Sequence, residues 1–212
     1  MVLYSALGNS FTPSENGSIT KVSFYVKRIN NPIGNLIAYI YRATLVGSNY
    51  IPLDNPVGTG IIAESNLLDM EDLIAVYNLE EFTLTSPLPV TTDSVYVAQM
   101  VVHDATLLNE DNCVFILGWA STGNCTGNGS TYDADGGWVG RDIDLSLLVD
   151  AGVTRLYTCA EGIASGSLKD VHPPRILTII SSLPSVGIHG WDSDNEGYVK
   201  GKVDSDGILQ TS

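Results

Sequence analysis

The chain has 212 residues, 44% apolar and only 16% charged, so it can bury a sizeable core and is not a disordered polymer. Ten Lys and Arg against 24 Asp and Glu give a formal net charge of −14. Such a surface repels phosphate backbones and anionic bilayers, which argues against nucleic-acid and membrane partners. No apolar run approaches the roughly 18 residues of a membrane span. The opening MVLYSALGNSFTPSENG has neither the basic n-region nor the apolar stretch of a signal peptide, which predicts synthesis in a cytosol without general secretory export.

Period-two alternation dominates the chain. In ITKVSFYVK, Val22, Phe24 and Val26 alternate with Lys21, Ser23, Tyr25 and Lys27, the pattern of a half-buried strand. NLIAYIYRA (35–43) is apolar on both faces and belongs inside a sheet. Further strands are predicted at 82–86, 94–102, 113–121, 154–160 and 175–181. Asn30-Asn31-Pro32, Asp54-Asn55-Pro56, Gly123-Asn124 and Asp135-Gly136-Gly137 punctuate them as turns. ESNLLDMEDLI (64–74) and DLSLLVDA (144–151) read as short helices. Many strands and almost no helix predict an all-β fold, an antiparallel sandwich over residues 1–160. Residues 161–184, rich in Gly, Ser and Pro, read as a connector carrying one strand. Residues 185–212 read as a C-terminal β-hairpin arm turning at DSDNE and again at Asp206-Gly207.

Two stretches resemble known proteins. GNSFTPSENGSITKVSFYVKRINNPIGNLIAYIYRAT (8–44), SPLPVTTDSVYVAQMVV (86–102) and GNGSTYDADGGWVGRD (127–142) together resemble a jelly-roll module of phage structural proteins and bacterial surface proteins. IHGWDSDNEGYVKGKVDSDGILQ resembles a segment of phage virion proteins, with Asp192-Ser193-Asp194-Asn195-Glu196 in place of a compact Asp-Gly turn and Tyr198 where Trp is usual. The resemblance implies an antiparallel jelly-roll β-sandwich and a place in the virion, as a capsid decoration, neck or tail component. Its expected partners are other virion proteins and further copies of itself, a trimer being favoured. The arm residues expected to carry assembly are Ile188, Trp191, Tyr198, Val199, Val203, Ile208 and Leu209, by adding strands to a neighbour's sheet.

Competing chemistries are weaker. Asp192, Asp194 and Glu196 fall on alternate positions, as at the start of a calcium loop. The twelfth position, where an EF-hand needs a bidentate Glu, is Val203, so a polar turn is the plainer reading and no cofactor is expected. The histidines His103, His172 and His189 form no metal or catalytic pattern, and no nucleophile elbow occurs, so an enzyme is not expected. The rival is a sugar-binding jelly roll of an adsorption apparatus or surface protein. In it Trp138 would stack on a host glycan with Asp135 and Arg141 beside it. Cys113, Cys125 and Cys159 fit no metal spacing; three buried thiols are expected, with a Cys113–Cys125 bridge as the alternative.

Overall fold

The computed structural model describes residues 3–4, 6–53, 60–108, 111–119, 125, 127–133, 137–159, 177–179, 188–192, 197–203 and 209–210. In chain order the first strands are Leu3–Tyr4 (β1), Ala6–Phe11 (β2), Gly17–Ile29 (β3), Ile33–Val46 (β4), Asn49–Pro52 (β5), Ile61–Glu64 (β6) and Leu68–Asp69 (β7). Asn78–Val90 (β8), Tyr96–Leu107 (β9), Cys113–Ile116 (β10), Gly118–Trp119 (β11), Gly129–Asp133 (β12) and Gly137–Arg141 (β13) follow. Asp144–Leu145 (β14), Leu147–Ala151 (β15), Thr154–Cys159 (β16), Leu177–Ile179 (β17), Ile188–Asp192 (β18), Gly197–Val203 (β19) and Leu209–Gln210 (β20) complete the set.

Fifteen of these strands form two sheets packed face to face, the all-β sandwich that the alternation predicts, while β11 and β14 make a separate pair. One sheet runs β1-β17-β10-β3-β15-β16, with β8 on the other edge of β3. The second runs β13-β12-β2-β9-β4-β5, with β6 and β7 also on β4. All pairs are antiparallel except β1 with β17. Alternate residues meet in between. Val22, Phe24 and Val26 of β3, with Phe82 and Leu84 of β8, face Leu7 and Phe11 of β2, Leu36, Ala38 and Ile40 of β4, and Ala98 and Met100 of β9. Phe24 and Phe82 meet edge to face at 5.9 Å, a geometry that adds to the area they bury.

Turn chemistry follows the residues. Asn30 holds a positive φ of 51°, which Asn tolerates better than most side chains, and the chain reverses into β4. At one long side the sheets are stitched together: Ser65 bridges Leu84, and the Asn66 N–H donates to the Thr83 carbonyl at 2.9 Å.

Two expected helices are corrected. Over 64–74 the described helical structure is one 3₁₀ turn, Met70–Asp72, with the Asp69 carboxylate accepting from the Glu71 N–H at 2.8 Å. Met70 and Leu73 reach the core there, while Leu67 and Ile74 stay exposed. Residues 144–151 are strands β14 and β15, because Leu145, Leu147 and Val149 at period two enter the core.

The cysteines are a further correction. Cys125 and Cys159 form a disulfide with a Cα–Cα distance of 5.4 Å, leaving Cys113 as a buried thiol. Cys113 sits mid-sheet on β10, opposite Ile29. Cys159 ends β16 opposite Leu147, where the chain ahead of β12 comes alongside.

Candidate functional site

Two places carry the residues singled out by sequence, and a third emerges only in the structure. The first is the C-terminal end. β18, β19 and β20 form their own three-stranded antiparallel sheet, and among the described residues none of its strands pairs with either sheet of the sandwich. Ile188 lies opposite Gly201, Gly190 opposite Val199, Trp191 opposite Tyr198, and Asp192 opposite Gly197. Val203 pairs with Leu209. The three strands therefore form a meander, and the two outer strands each present an edge of backbone donors and acceptors. Ahead of it, β17 lies between β1 and β10, opposite Val114, Phe115 and Ile116, so part of the connector's strand belongs to the sandwich. Ile208 lies outside the described residues. So do Asp194 and Glu196 of the calcium candidate; Asp192 closes β18.

The second place is the outer face of the β13-β12-β2-β9-β4 sheet. Backbone register aligns Ser130, Gly8, Gln99 and Tyr39 in one row across four strands. Gln99 is wholly buried, and its Nε2 donates to Ser130 Oγ at 3.2 Å. Position 8 must be glycine for this: a Cβ there would stand 2.3 Å from Gln99 Cγ and 2.4 Å from the Ala98 carbonyl oxygen. Four rings, the row's Tyr39 among them, meet on this face. Trp138 meets Tyr132 at 5.2 Å and Tyr41 at 6.0 Å, and Tyr41 meets Tyr39 at 6.4 Å, each pair nearly edge-on. Four strand spacings separate β4 from β13, about 19 Å on a flat sheet. The contact between Tyr41 and Trp138 therefore requires the sheet to curl.

The rim of this face is tied down. The Asn128 carboxamide accepts from the Tyr50 N–H at 2.7 Å and from Ser10 Oγ at 3.1 Å, and donates to the Tyr50 carbonyl at 2.9 Å. This holds the β4–β5 hairpin against β12. Burial, and then the neighbouring Tyr39, push the Tyr41 phenol well above its ordinary pKa, so it stays neutral. Of the three glycan candidates, Trp138 is half-buried in this cluster, and Arg141 Nε donates to Thr131 Oγ1 at 3.0 Å. Asp135 lies outside the described residues. The sequence singled out Trp138 but gave no hint that Tyr39 and Tyr41 meet it; the signal was two tyrosines at i and i+2 on a strand apolar on both faces.

The third place was missed. The sulfurs of Cys125 and Cys159 and a carboxylate oxygen of Asp144 all lie within 4.8 Å of one another. Asp144 is wholly buried on β14, opposite Trp119.

Elsewhere the acidic pair Glu80-Glu81 lies on β8, and Glu81 forms an ion pair with Lys21 at 2.5 Å. His103 is exposed on β9. The class defined by these observations is an all-β sandwich protein with a C-terminal β-meander that, among the described residues, pairs only within itself. No family model, curated protein or solved structure matches the chain.

Proposed function

We propose that the chain is a non-enzymatic virion structural protein, a capsid decoration, neck or tail component, that assembles through its sandwich surface and its C-terminal meander. The observation that carries this reading is the β18-β19-β20 sheet, which pairs within itself and follows a strand, β17, inserted in the body. Three short strands with two open edges bury little and gain most by adding to another subunit's sheet, where backbone bonds supply affinity and alternate side chains supply register. The disulfide supports a working life outside a reducing cytosol, as at a virion surface. The net charge of −14 suits a surface that faces solvent rather than packaged nucleic acid. The resemblance of 8–44 and of the tail to phage proteins agrees with this placement.

The glycan-binding alternative draws on the aromatic cluster. Trp138 is held edge-on between Tyr41 and Tyr132, an arrangement that suits packing better than a flat sugar platform.

Hydrogen exchange read residue by residue tests the arm. Amides of Ile188–Asp192 and Gly197–Val203 exchange more slowly as protein concentration rises, because intermolecular pairing protects the open edges. Exchange that does not change with concentration contradicts assembly through this sheet.

A further inference from the structure

We propose that Cys125, Cys159 and Asp144 are the ligands of a zinc-class divalent metal when the two sulfurs are reduced, so that the metal-bound and disulfide forms are alternative states of one site. The three candidate ligand atoms already lie within 4.8 Å of one another. A tetrahedral zinc with two thiolates and one carboxylate needs ligand atoms about 3.5–3.8 Å apart, a spacing within reach once the S–S bond is open. Borderline-soft zinc accepts a mixed sulfur and oxygen set, whereas calcium and magnesium want oxygen alone.

The surroundings suit such a site. Asp144 sits on β14, fixed by pairing with β11, and the next residue's N–H donates to Asn9 Oδ1 at 3.1 Å. Cys159 is fixed at the end of β16 by pairing with Leu147. Two ligands therefore stand on strands, wholly buried, while Cys125 is only half-buried and marks the side from which an ion and a fourth ligand, such as water, enter. Spacings of 19 and 15 residues between the three ligands match no short zinc pattern, which is why the site is invisible in sequence.

The two states interconvert by thiol–disulfide exchange. A low-molecular-weight disulfide takes two electrons from the two protein thiolates. Its own S–S bond breaks to give two free thiolates, the Cys125–Cys159 bond forms, and the metal leaves unchanged as a divalent ion. A dithiol reverses the step. A chain made in a reducing cytosol thus holds the metal, and oxidation outside exchanges it for the covalent bridge.

The test uses the full chain, reduced with a phosphine, and Co²⁺ as probe. The expected result is one equivalent bound, with a thiolate-to-cobalt charge-transfer band and tetrahedral d–d bands, displaced by Zn²⁺ and absent from the oxidised protein. Cys113→Ser retains the bands and Cys159→Ser loses the charge transfer expected of two thiolates. Asp144→Asn keeps sulfur bands but binds Zn²⁺ at least about tenfold more weakly. Zn²⁺ also raises the melting temperature of the reduced chain and leaves the oxidised chain unchanged. That reading survives if a variant, or the reduced chain itself, folds poorly. Reduced wild type that shows no thiolate–cobalt band and no zinc-dependent rise in melting temperature overturns the proposal. So does a band that depends on Cys113 rather than on Cys159.

Discussion

Phe11→Ala lowers the free energy of unfolding by about 3–5 kcal/mol, enough to threaten a domain of ordinary stability. Phe11 is wholly buried at the end of β2, its ring 5.7 Å from that of Tyr96 in its own sheet and 5.6 Å from that of Tyr157 in the other. Truncation removes a ring that both sheets share, and the two tyrosines cannot close the space without moving their strands. Urea denaturation followed by tryptophan fluorescence and by far-UV dichroism checks it, with coincident transitions required for the comparison. A loss below about 1 kcal/mol, well under the usual range for a buried phenylalanine, contradicts the packing described for this junction.

Breaking the Cys125–Cys159 bond in metal-free buffer is the second large effect. The bridge spans 34 residues, and loop-closure entropy for a loop of that size gives a stabilisation of about 3–4 kcal/mol. The same loss is expected for Cys159→Ser and for reduction of the wild type. Thiol counting identifies the pair without mutation. Denatured in the absence of reductant, the chain yields one thiol, Cys113; after reduction it yields all three. In the native state Cys113 stays silent near pH 8. Burial first, and then the nearby Asp111, push its pKa up to about 12, with Lys27 opposing. In the unfolded chain this thiol ionises near its ordinary value of 9.0 while the native thiol keeps its proton. The native preference is therefore complete below about 9 and lost as the pH rises toward about 12, and stability falls across that window.

Much of the sandwich was legible because burial on one face leaves a period-two trace. Val22, Phe24 and Val26 in β3, and the doubly apolar run Leu36–Tyr41 in β4, are where alternation put them. The trace failed at Leu147-Leu148-Val149, where three consecutive apolar residues erase the alternation and a short buried strand looks like a helix turn. It failed at 64–74 because Leu67, Met70 and Ile74 recur at helical spacing although only Met70 of the three is buried. The disulfide and the aromatic cluster were hidden for a different reason. Cys125 meets Cys159, and Tyr41 meets Trp138, only after the sheets have packed and curled; no local rule carries that information. The described strands of the C-terminal meander, β18, β19 and β20, fall within the stretches read as strands, since the alternation of 198–203 is a local feature; its two expected turns lie outside the described residues.

The proposed function rests on the C-terminal meander acting as an assembly element. The most direct test is the mass in solution, by light scattering, of the full chain and of a chain ending at Ser182, cut beyond β17 so that the body keeps its inserted strand. An oligomer, with a trimer favoured, is expected for the full chain and a folded monomer for the shortened one. Equal oligomeric states for the two chains, whether monomeric or assembled, contradict it.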